Sequence, residues 1–173
     1  MASKTSDVKG MKTYQAFKLF KDGNVFIAVG KTSPWNPETP EKIPDVSYGQ
    51  TITEIVALKR AEQVKFVTPD DTNGTIEQFG QKWRIIDEAE ARDTDCRWVY
   101  VQAWLRYDEF PICTYRQTGV YAGTVLVDGV PINLQVAKPE QVVDYGFLLT
   151  VTNQSPIARE VTHRENIEYI LEL

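Results

Sequence analysis

Apolar and polar positions along this 173-residue chain follow two periods, and the change between them predicts most of its elements. Met11, Tyr14, Phe17 and Phe20 recur every third residue, with lysines at 12, 18 and 21; this spacing predicts a short amphipathic helix that stops at Asp22–Gly23–Asn24. Val25 to Val29 is apolar without interruption between Gly23 and Gly30, as in a strand buried on both faces. Ser47 with Gln50, and Thr51 with Glu54, have capping-box spacing ahead of Ile52, Ile55, Val56 and Ala57, which predicts a helix near 48–60. Residues 64–68 return to strand character, and 69–74 (PDDTNG) form a turn by composition.

Beyond that turn the chain is β-rich. Residues 82–86 and 97–107 predict strands, the latter central because its apolar residues fall on both parities; the acidic run 87–95 between them reads as a solvated loop. Strands are also expected in 112–117, on either side of an Asp128–Gly129 hairpin turn, in 147–153 and in 167–173. Pro131 places the second hairpin strand at an edge or a bulge. Pro139 opens a helical turn that Gly146 closes. About eight mostly antiparallel strands and two or three short helices make a mainly β protein, an antiparallel β-sandwich with helical additions near the N-terminus. Residues 1–10 read as a flexible arm and 11–173 as a single β-sandwich-like domain.

Charge and composition narrow the function. A net charge of −5 and a pI near 5.0 argue against a nucleic-acid partner. No apolar run reaches the length of a membrane span, and residues 1–10 lack a signal peptide's apolar core, so the chain is expected to stay where it is translated. Cys96 and Cys113 have neither disulfide-framework nor zinc-site spacing and read as buried free thiols. His163 lies in a polar stretch with no nucleophile motif nearby and reads as exposed or capping. Aligning residues 69–80 on a calcium loop puts Pro69 and Gly80 at the terminal ligand positions, so a plain turn is expected. There is no phosphate-binding glycine loop, and no glycosidase carboxylate pair can be identified. No catalytic residue, cofactor, metal or small-molecule substrate is therefore assigned.

The most distinctive stretch is residues 25–45, VFIAVGKTSPWNPETPEKIPD. Four prolines, Pro34, Pro37, Pro40 and Pro44, each fix φ and remove a donor, and they stiffen the loop that follows Gly30. Trp83, Trp98 and Trp104 fall on strands and read as core, whereas Trp35 lies in the loop. There it either folds back as a plug or is offered to a partner, as tryptophan often is at interfaces.

This segment resembles the baseplate wedge proteins of contractile-tailed bacteriophages, specifically the small dimeric wedge-arm family. In that family a strand ending in glycine and a basic residue leads into a Ser-Pro-Trp-like turn and a proline-bearing loop, here Gly30, Lys31, Ser33, Pro34 and Trp35. Residues 101–126 match an aromatic-proline corner between strands at Phe110–Pro111. The C-terminal part has the Asn-x-x-Pro-Ile segment before a last strand, at Asn153, Pro156 and Ile157. The match covers about two thirds of the chain, in a shortened form without insertions between roughly 70 and 140. The resemblance implies a non-enzymatic structural subunit of the virion's tail baseplate. It would be a homodimer assembled in the host cytoplasm, bridging other wedge proteins through the residues just named together with Pro37, Pro40 and Pro44. The alternative is a receptor- or carbohydrate-binding β-sandwich of a tail fibre, with Trp35 and the tyrosines as stacking platforms.

Overall fold

The structure is a computed structural model that describes residues 3–40 and 42–173; Met1 and Ala2 of the expected arm, and Glu41 of the proline-rich loop, lie outside them. The elements in chain order are α1 (Lys9–Lys21), β1 (Phe26–Gly30), β2 (Ala57–Arg60), β3 (Gln63–Pro69), β4 (Ile76–Gln78), β5 (Gln81–Ile86) and α2 (Glu88–Asp93). They continue with β6 (Trp98–Leu105), β7 (Thr114–Ala122), β8 (Val125–Leu126), β9 (Val136–Ala137), a 3-10 turn at Pro139–Gln141, β10 (Val142–Asp144), β11 (Phe147–Ala158) and β12 (Glu165–Glu172). The protein is mainly β with short helices, as its patterning predicts. The strands form two five-stranded sheets, ordered β11-β7-β1-β2-β9 and β12-β6-β3-β5-β4, and a β10-β8 pair.

The chain divides into two compact units. The first comprises residues 1–22, 63–101 and 169–173. In it α1 lays Phe17 and Phe20 on Phe66, with ring centroids 4.6 and 4.5 Å apart, while Val67, Trp83 and Tyr100 form a core with Ile76, Trp98 and Ile170 beside them. The second comprises residues 23–62 and 102–168. Here β1 lies between β7 and β2 in antiparallel register, with Phe26 opposite both Tyr121 and Arg60, and every residue of β1 is buried. Period-2 alternation splits its side chains. Phe26 and Ala28 join Ile52, Leu58, Tyr121 and Ala137 on one face; Val29 joins Ala57, Leu105, Phe110 and Tyr115 on the other. Both faces of this sheet are therefore covered, which gives the unit a sandwich-like layering.

Four local expectations are corrected. Residues 48–56 are a loop, and Ala57–Arg60 is a strand, where a helix was predicted over 48–60. Ser47 and Gln50 do bond each other reciprocally, but Val56 donates to the Val29 carbonyl (2.8 Å), so the β-branched run enters the sheet. The acidic run holds α2, because Asp87 caps the Glu90 N–H (2.8 Å) and Ala91 is fully buried. Finally, the Asp128–Gly129 turn forms, with Val130 donating to Val127 and Gly129 at φ +88°, but it joins no hairpin. β8 pairs with β10 and β9 with β2, and β9 stands at the sheet edge, where Pro131 directed it. Gly146 serves the bend between β10 and β11 and does not close the 3-10 turn; a Cβ there would meet the Ala122 carbonyl at 2.2 Å.

Candidate functional site

The loop between β1 and β2, residues 31–56, is built from its two ends inward. Gly30 is extended, and its role is proximity: a Cβ on it would lie 2.5 Å from the Thr53 carbonyl and 2.7 Å from Ile52 Cγ2. The sharp turn falls on Lys31, at φ 56°, whose N–H donates to Thr53 (2.7 Å); across from it Glu54 has φ 50°.

Glu54 ties the entrance together. Its carboxylate accepts from Ser33 Oγ (2.5 Å), Thr32 Oγ1 (2.7 Å), Ser33 N–H (2.8 Å) and Lys31 Nζ (2.9 Å). The Ser33 hydroxyl first, then Thr32 and Lys31, hold this carboxyl well below the usual carboxylate range.

Farther along, Trp35 folds back on its own unit. Its indole N–H donates to the Gln154 carbonyl of β11 (3.1 Å), Lys31 Nζ lies 5.9 Å from its ring centroid, and the ring is half-buried. Asn153 fastens the return path: it donates to the Pro44 carbonyl (3.0 Å) and accepts from Gln50 Nε2 (2.8 Å) and Gln117 Nε2 (3.0 Å). Gln117, 1% exposed, also accepts from the Thr53 N–H (3.0 Å). What the loop presents outward is Pro34, Pro37, Pro40 and Pro44 together with the exposed Ile43, Val46 and Tyr48.

The residues singled out by sequence thus separate. Gly30, Lys31, Ser33, Pro34, Trp35, Pro37, Pro40, Pro44 and Asn153 belong to one loop system. Phe110 is buried against Tyr115 and Leu105, with the Arg159 guanidinium 5.3 Å from its ring centroid, and the Pro111 carbonyl accepts from Arg159 Nε (3.4 Å). Pro156 and Ile157 lie exposed on β11, after a register shift beyond Asn153. Sequence reasoning read Gln50 and Glu54 only as helix-capping residues and did not find Gln117; the bonds that tie these three into the loop system span 21 to 103 residues. It also did not single out Tyr48, which it placed at a helix start.

Asp70 accepts from the Thr72 and Asn73 N–H groups and from Arg84 Nε, so the PDDTNG turn uses its own carboxylate. His163 is exposed, Cys96 is buried, and Cys113 is half-buried, both thiols being free. No group of three or more metal-ligating side chains comes together among the described residues.

Residues 1–173 match the model of a family described as "Baseplate wedge 3 tail fiber network component". The chain is also 29% identical over 139 residues to "Virion protein 3" of Enterococcus phage phiEF24C, across 78% of this chain and 75% of that protein.

Proposed function

Since the chain belongs to the baseplate wedge 3 tail fiber network component family, we propose that it is a non-enzymatic wedge subunit of a contractile tail that bridges neighbouring wedge proteins as a homodimer. It is a structural component of the virion, in the tail baseplate. The observation that carries the finer reading is the family match along the whole chain. The 31–56 loop supports it: proline content and the Glu54 and Asn153 ties fix its path, while Ile43, Val46 and Tyr48 stay exposed. A loop ordered before binding loses little entropy on docking, which suits a repeated assembly contact. Trp35 acts in this reading as an internal strut, leaving the outward contact to the tip.

The test is to mix the purified chain with the other baseplate proteins of its phage and weigh the products by light scattering. The expected outcome is a homodimer that joins a complex of defined mass. An Ile43→Ser, Val46→Ser, Tyr48→Ser variant should keep the melting temperature and lose the complex. A strictly monomeric chain that joins no baseplate protein overturns the proposal.

A further inference from the structure

Each of the two five-stranded sheets ends in two edge strands, and backbone N–H and C=O groups at an edge are open to pairing with another strand. Three of these four edges are protected. β9 has two residues and β4 has three, too few to hold a partner strand. β12 has eight, but it carries Glu165, Glu168 and Glu172. β11 differs on both counts. It is the longest strand, with twelve residues, and no residue between Asp144 and Arg159 is charged, the longest such stretch in the chain.

The C-terminal half of β11 is guarded. Trp35 donates to the Gln154 carbonyl, the Asn153 side chain is tied to the Pro44 carbonyl, and Pro156 has no N–H to offer. Residues 147–151 have no such cover among the described residues. Phe147 is 78% and Leu149 38% exposed, while Leu148 and Val151 pack against the core around Phe26 and Tyr121. The register shift between Leu148 and Thr150 leaves Leu149 without a Cα partner on β7. An uncharged edge with two large apolar side chains exposed is what a solitary sheet ordinarily avoids.

We propose that residues 147–151 pair antiparallel with the same residues of a second copy, joining the two β11 strands across a two-fold axis. The proposal rests on the reading of the chain as a homodimeric baseplate subunit and names the strand that makes the dimer; the 31–56 loop tip stays free for other baseplate proteins. Three observations argue for a second copy as the occupant. Antiparallel strand pairing is self-complementary, as a two-fold contact must be. Two copies that each carry a net charge of −5 oppose the fewest like charges where the strand is neutral, whereas a β12–β12 contact would bring glutamates together. Finally, the pairing uses up β11 and leaves only the two-residue β9 at each end of the joined sheet, so assembly stops at two copies. A charged partner strand would find nothing on β11 to pair with its charges.

The experiment measures the mass of the full chain by sedimentation over a dilution series, and amide hydrogen exchange at concentrations above and below dissociation. Wild type should form a dimer in which the amides of 147–151 exchange at least about tenfold more slowly than in the dilute monomer. Phe147→Lys with Leu149→Lys puts charge on the edge and should reduce the mass to that of one 19.7 kDa chain. Phe147→Thr with Leu149→Thr keeps strand-forming residues, guards against loss of the fold, and should weaken the dimer about tenfold or more; melting temperature checks both. The Ile43→Ser, Val46→Ser, Tyr48→Ser variant should remain dimeric. A dimer that survives the lysine pair, or that forms without slowing 147–151, overturns the β11 contact and leaves the subunit reading intact. Slowing only when another baseplate protein is added means that a strand of that protein occupies the edge, and it overturns the second copy as the occupant. A chain that is monomeric at every concentration overturns both the contact and the homodimer, and its binding to other baseplate proteins then decides the subunit reading.

Discussion

Lys31 and Glu54 both occupy the left-handed backbone region, at φ 56° and 50°. For residues with a Cβ this costs on the order of 1–3 kcal/mol each, so neighbouring contacts must hold them there. The Lys31 N–H bond to Thr53 and the four donors on the Glu54 carboxylate supply that hold. Glu54→Gln keeps the shape and removes the charge. Because the side chain is 38% exposed, solvent screens much of the effect, and a loss of only about 1 kcal/mol is expected at neutral pH. The sign with pH follows from the depressed carboxyl. Its folded pKa lies below its unfolded one, so the contribution is complete above the usual carboxylate range. It disappears as pH falls through the depressed value. Melting temperatures measured down through acid pH should therefore converge for wild type and Glu54→Gln.

Gly30 tests the same joint by shape. Gly30→Ala drives a Cβ against the Thr53 carbonyl and Ile52, and should cost about 1–3 kcal/mol by denaturant unfolding. Gly23→Ala, where no atom lies within 4 Å of the added Cβ, is the control and should change stability by under about 1 kcal/mol.

At the scale of elements, the loop behaves as part of the sheet it leaves. Asn153 of β11 and Gln117 of β7 reach into it, so two strands of the five-stranded sheet hold its return path. Asn153→Ala deprives the Gln50 and Gln117 amides and the Pro44 carbonyl of their partner. The expected loss is about 1–3 kcal/mol, with faster amide exchange confined to residues 44–54. Patterning along the chain was enough to find α1, β1, β3, β5 and β6, because each shows its burial in its own period: Val25–Val29 on both faces, Phe17 and Phe20 on one. It failed at 48–60, where a real Ser47–Gln50 bond imitates a helix start while Val29 claims the chain for the sheet. It failed again at 87–95, although Asp87 followed by Glu90 is itself a cap signal that high charge concealed. The loop was legible through its prolines and Trp35. Its ties were not, because an ion pair such as Lys31–Glu54 leaves no mark in local periodicity.

For the molecule as a whole, net charge sets the sign of the salt dependence expected of the proposed homodimer. Two copies that associate each bring a net charge of −5. Salt screens that repulsion, since the Debye length falls to about 10 Å at 0.1 M and further above it. The homodimer should therefore tighten as salt rises. Sedimentation of the chain alone across a salt series should show that slope. A homodimer that dissociates as salt rises would instead mean that opposite charges meet across its interface.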